Sequence, residues 1–265
     1  MQSDTLKRAE EAGLKQPNGN DLSFALMTVG IIIVTHAIAY LSHEFAHSFT
    51  AWARGHMSHP LALDYGGLTP ANLVLLSDVG DNVPYDRILS GGHGPAVTII
   101  ALAGPYIGNG LLYVGLCAFV GRLRDRAVML TSFAFWLMLM CAGNVWSYVP
   151  IRAITTHADI AIAASGLHIG VWTLFPFLLI PSLILVGHFF AWTCPILIPV
   201  ITARRPARTA MVVAVTAAWF FTLFGGAGLS GSYGGVSQAL SVASAVILMP
   251  LATIWLFSLC TRDAL

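Results

Sequence analysis

Six apolar runs, each close to or beyond 20 residues, leave this 265-residue chain few ways to fold. They fall at about 22–53, 96–120, 127–149, 170–200, 209–226 and 236–259. A helix crosses the roughly 30 Å hydrocarbon core of a bilayer in about 20 residues, and lipid offers the backbone no partners. Only 9% of the residues are charged and 57% are hydrophobic, and mean hydropathy is +0.77. An ordinary soluble domain carries about a quarter charged residues. The chain therefore reads as an all-α polytopic membrane protein with about six transmembrane helices. Pro176, Pro181, Pro195 and Pro199 fall in the fourth run, which predicts a kinked or broken helix there.

Two connections interrupt the pattern. Residues 54–94 are moderately apolar and rich in turn formers, and 61–65 and 72–76 have the composition of short strands. Gly66, Gly67 and Pro70 separate them, so a short membrane-associated β-ribbon is expected after the first span. Residues 150–167 hold His157 and Asp159 ahead of a short apolar stretch. Three sections follow: a polar N-terminal segment 1–21, a core 22–168, and three further spans within 169–265. The N-terminal segment mixes charges and lacks the basic character of a cleavable signal, so the first run reads as a retained span.

Net charge of +1 and the lack of basic clusters interleaved with aromatics exclude nucleic acid as a partner. Cys117, Cys141, Cys194 and Cys260 lie in or beside spans with no C-x-x-C pair, and read as small buried apolar residues. The glycine-rich stretch 225–235 has no following Lys and reads as a loop rather than a phosphate cradle. If the spans alternate, ten of the thirteen Lys and Arg residues collect on the N-terminal side. Arg54, Arg87 and Arg152 alone face the other way. The positive-inside rule then puts both termini in the cytoplasm.

His43-Glu44-Phe45-Ala46-His47 lies near the end of the first run. The H-E-x-x-H spacing sets two imidazoles one helical turn apart, where both reach one metal ion, and Glu44 beside them can take a proton from water. Ionisable groups at membrane depth are costly and usually functional. A catalytic zinc site normally takes a third protein ligand. On that side stand His56, His59, His93, His157, His168, Asp64, Asp78, Asp81, Asp86 and Asp159. Asp159 differs in opening an apolar helical stretch just after a span, where a carboxylate is either a helix N-cap or a ligand. His36 and Tyr40 precede His43 by seven and three residues and share its face, either lining the cleft or orienting a ligand. His188, alone in the fourth span, reads as structural.

These residues resemble the site-2 proteases, the zinc intramembrane metalloproteases. Three elements match in order: H-E-x-x-H ending a span, Ala103-Gly104-Pro105 with Asn109 early in the second span, and Asn144, Pro150 and Asp159 after it. The resemblance covers about residues 24–168. The last three spans resemble nothing that can be named. It implies one Zn2+ per chain on His43, His47 and Asp159, Glu44 as the catalytic acid–base, and Asn144 near the substrate or oxyanion. The expected activity is zinc-dependent endopeptidase hydrolysis in or next to transmembrane segments of a membrane protein or membrane-anchored peptide. The expected setting is a bacterial or archaeal cell membrane, with a regulatory membrane partner or a second copy as the expected associate. The chain departs from the family in four ways: the interval from Asn144 to Asp159 is longer, Ile160 replaces a Gly, His157 stands as an alternative ligand, and the charge bias puts the site toward the extracytoplasmic face where the family's sites lie nearer the cytosol. The competing expectation is a catalytically silent metal-binding scaffold or assembly subunit. Transport is disfavoured because the second, fifth and sixth spans carry no Asp, Glu or His in their interiors.

Overall fold

A computed structural model describes residues 20–123, 128–230 and 232–261. The polar segment 1–21 lies outside the described residues except for its last two. Six long apolar helices are present: α1 (Asp21–Ala53), α4 (Gly94–Arg122), α5 (Val128–Ile151), α7 (Val171–Ile201), α8 (Pro206–Leu229) and α9 (Gly235–Thr261). Three short helices connect them: α2 (Pro70–Leu75), α3 (Tyr85–Ser90) and α6 (Asp159–Gly166). The chain is an integral multi-pass membrane protein.

Asn20 caps α1, its Oδ1 accepting from the Ser23 amide at 2.7 Å. At 33 residues the helix is about 50 Å long, more than the hydrocarbon core requires. H-E-x-x-H therefore falls in its last third, with about 9 Å of helix still to come. α5 is the most enclosed span and α9 the least. Around α5 the core is aromatic. Phe135, Trp136, Phe189, Phe190, Phe220 and Phe221 interlock across α5, α7 and α8. Gly143 admits Phe224 of α8, since a Cβ there would meet that ring at 2.2 Å.

The helical ladder of α7 continues from Val171 to Ile201 in spite of its prolines. It widens to π geometry at Phe189–Thr193, just before Pro195. A π turn absorbs the carbonyl that proline's missing N–H leaves without a partner. α4 widens in the same way at Gly104–Leu111, beginning beside Pro105.

The expected β-ribbon is not formed, and the described residues contain no strand. Residues 72–75 lie in α2 instead, and only an isolated bridge pairs Asp64 with Gly80. Pro70 is not a separator but the first residue of a helix, where its lack of an N–H costs nothing. Thr69 Oγ1 caps it by accepting from the Asn72 amide at 3.1 Å. The Asn72 side chain then ties the loop together, donating to the carbonyls of Tyr65 and Gly67 and accepting from the Asp78 amide. These local bonds satisfy the backbone that a ribbon would have paired.

Candidate metal centre

His43 and His47, both almost fully buried on α1, turn their Nε2 atoms toward each other at 3.1 Å. Asp159 Oδ2 completes a triangle, 3.1 Å from His43 Nε2 and 3.3 Å from His47 Nε2. Two nitrogen ligands about 2.0–2.1 Å from a tetrahedral zinc stand roughly 3.3–3.4 Å apart. The three atoms thus already have nearly the spacing of three corners of such a site. Two neutral nitrogens and one carboxylate form a donor set that suits zinc.

Asp159 reaches the histidines because α6 is clamped to α4. The two helices meet at glycine: a Cβ on Gly94 would lie 2.2 Å from the Gly166 carbonyl, and one on Gly166 would lie 2.4 Å from that of Gly94. Thr98 Oγ1 donates to the Ala163 carbonyl at 2.8 Å across the same contact. Asp159 is the first residue of α6 and caps nothing. The preceding residue, Ala158, holds φ 72° and ψ 173°, a region that is essentially glycine's own. Of the two roles that the sequence left open, the cap is absent and the carboxylate faces the imidazoles. Its partial burial would raise the carboxyl pKa. The His47 and His43 imidazoles beside it outweigh that and hold it well below the usual carboxylate range.

The outer nitrogens are fixed as well. His47 Nδ1–H donates to the Ile100 carbonyl of α4 at 2.8 Å, leaving the Nε2 lone pair free to ligate. His43 Nδ1 lies 3.0 Å from the Asn109 side-chain amide. Asn109 is fully buried, and with its nitrogen toward His43 its Oδ1 has no partner. Turning the amide over lets Oδ1 accept Nδ1–H and leaves His43 Nε2 as a lone pair aimed into the triangle. The orphaned oxygen is therefore satisfied in the arrangement that a metal requires. Gly104 lets α4 come this close: a Cβ there would fall 2.2 Å from His47 Nε2 and 2.6 Å from His43 Nε2.

Glu44 is buried beside the triangle. Glu44, His47 and Asp81 also lie within ligating distance of one another. That grouping is a poor second site, because the His47 nitrogen 4.0 Å from Asp81 Oδ2 already donates to Ile100. Asp81 is held by the Tyr85 hydroxyl and the Val83 amide, and burial pushes its carboxyl pKa up.

The other residues singled out in the sequence go elsewhere. His36 Nε2–H donates to the Leu75 carbonyl and the Tyr40 hydroxyl to the Val79 carbonyl, so both fasten the α1–α4 connection onto α1 rather than orienting a ligand. His157 is exposed and stacks on Tyr233 at 4.6 Å, away from the triangle. Asn144 is buried on α5, one turn before Tyr148, and no described residue hydrogen-bonds its side chain. His188 bonds the Tyr113 hydroxyl at 2.8 Å, a structural contact between α7 and α4. Asn109 lay within a motif that the sequence displayed, but nothing in it announced a bond to His43. Tyr148 gave no signal at all, and its ring stacks on His43 with centroids 4.6 Å apart and planes 17° from parallel.

Comparison with protein-family models, with curated proteins and with solved structures gives no match.

Proposed function

We propose that the protein is a zinc-dependent intramembrane endopeptidase, hydrolysing peptide bonds in or next to transmembrane segments of membrane-protein substrates. One observation carries the reading. Two imidazoles and a carboxylate from distant helices converge at zinc-ligand spacing, with an acidic residue adjoining them inside a membrane protein. The resemblance of H-E-x-x-H, the Ala103–Asn109 segment and the Asn144–Asp159 region to the site-2 proteases supports the same activity. The arginine and lysine distribution supports cytoplasmic termini, with the centre toward the opposite face.

In this reading His43, His47 and Asp159 hold one Zn2+ per chain. Zinc, when bound, lowers the pKa of an attacking water and polarises the scissile carbonyl. Glu44 accepts the water proton as the oxygen attacks, then delivers it to the leaving nitrogen. Ile100 and Asn109 keep both imidazoles in the ligating tautomer. A transmembrane helix hides its carbonyls in its own hydrogen bonds, so the substrate is unwound locally before it is cut. Asn144 lies on the helical face that leads to Tyr148, a position suited to contact with the opened segment.

Glu44→Gln separates chemistry from metal binding. The purified variant is expected to retain one zinc per chain and to lose cleavage of a co-expressed single-span membrane reporter. Continued cleavage by this variant would overturn the proposal. Zinc binding by the wild-type chain without cleavage of any such reporter would favour the scaffold reading instead.

A further inference from the structure

Peptide hydrolysis at one ion usually needs a second electrophile for the charge that develops on the carbonyl oxygen. The polar groups around the triangle are mostly committed. The Tyr40 hydroxyl donates to Val79, the Tyr85 hydroxyl to Asp81 and the Tyr106 hydroxyl to Leu178. Arg152 uses Nε on the Ser147 carbonyl and Nη1 on the Tyr233 hydroxyl. Ser48, Asn144 and Tyr148 are the exceptions, since none of their side chains has a hydrogen-bond partner among the described residues.

The Tyr148 ring, in contrast, is held by two contacts. His43 stacks on it at 4.6 Å, and the Arg152 guanidinium carbon lies 4.1 Å from its centroid. Both contacts restrict the phenol. Arg152 is in turn held 5.5 Å from the Tyr233 ring, on which His157 also stacks. The stack runs from a metal ligand to the α8–α9 connection and leaves the Tyr148 ring little freedom to move. The stacked contact with His43, 4.6 Å between centroids, sets the phenol directly against the triangle. A rigid ring with a free hydroxyl there is a preorganised donor, and the guanidinium beside it strengthens that donor.

We infer that Tyr148 is a catalytic residue whose hydroxyl donates a hydrogen bond to the oxyanion of the scissile carbonyl. The inference rests on the proposed peptidase reading. As water oxygen bonds to the carbonyl carbon, Glu44 takes the proton and the carbonyl π pair moves onto oxygen. Tyr148 donates to that oxygen and keeps its own proton. When the pair returns, the C–N bond breaks and the proton on Glu44 passes to the leaving nitrogen. Asn144 is the competing donor, but it makes no hydrogen bond to the three residues of the triangle, whereas Tyr148 lies flat against His43.

Tyr148→Phe keeps the ring, the stack on His43 and the contact with Arg152, and removes only the hydroxyl. The variant is expected to bind one zinc per chain. It should bind N-phosphoryl-Leu-Phe, whose tetrahedral phosphoryl group mimics the oxyanion, about 10²-fold more weakly than wild type. On the single-span reporter kcat should fall by about 10²–10³ with KM little changed. Unchanged affinity and kcat would overturn the inference, as would such losses in Asn144→Ala but not in Tyr148→Phe. Failure of the peptidase reading looks different: the wild-type chain itself would neither bind the phosphoryl dipeptide nor cut the reporter.

Discussion

At the scale of single residues, the centre depends on side chains that exclude alternatives as much as on those that bind. His157 and Asp159 are two residues apart, and either could serve as the third ligand on spacing alone. The structure separates them, with Asp159 Oδ2 in the triangle and the His157 ring on Tyr233. Asp159→Ala is therefore expected to lower bound zinc by more than tenfold, measured by metal analysis of the purified protein, while His157→Ala leaves it unchanged. Retention of zinc by Asp159→Ala would remove Asp159 from the ligand set. His43, Glu44 and His47 were legible because two ligands one turn apart are a local pattern fixed by helix geometry. Asp159 was legible only as a carboxylate out of place in an apolar setting. Asn109 and Tyr148 were not, since their contacts with His43 bridge 66 residues and a helix–helix packing respectively. No periodicity encodes such contacts.

Among the elements, α6 shows how a short helix can be held to a site by its neighbours. Its glycine contact with α4 fixes its axis, and the turn before it must then deliver Asp159 to the histidines. Ala158 bears the conformational cost at φ 72° and ψ 173°, about 1–3 kcal/mol for a residue other than glycine. Ala158→Gly is expected to raise stability by about 1 kcal/mol, after allowing for glycine's greater freedom in the unfolded chain. A thermal melt in detergent reads this as a rise of a few degrees with zinc content unchanged. A drop in melting temperature would show that the turn is not strained. The connection 54–94 teaches the opposite lesson. Its strand-like composition was real, but Thr69 and Pro70 start a helix, and Asn72 ties the surrounding turn. Local capping outweighed β propensity, which is the weaker preference. The spans themselves were legible to within a few residues, because lipid leaves an apolar segment little but the helix.

Across the whole molecule, charge and packing agree on one end. Arg208 donates to Asp21 at 2.8 Å and lies over Phe24, tying the start of α8 to the start of α1. With cytoplasmic termini this pair faces the cytosol and the triangle lies toward the outer face. A reporter inserted at 203–205, between α7 and α8, should be protected from protease added outside intact cells. One inserted at 57–60, after α1, should be cut. The reverse pattern would invert the assignment. At the opposite end, the Arg152 contact with Tyr233 ties the α8–α9 connection to the segment before Asp159. The separation of the ligands has a further consequence. His43 and Asp159 lie 116 positions apart, so an ion held between them acts as a staple across the core of the fold. Its binding free energy adds to folding stability, about 4 kcal/mol when free metal exceeds its dissociation constant a thousandfold. Metal supply would then govern how long the protein lasts in the membrane.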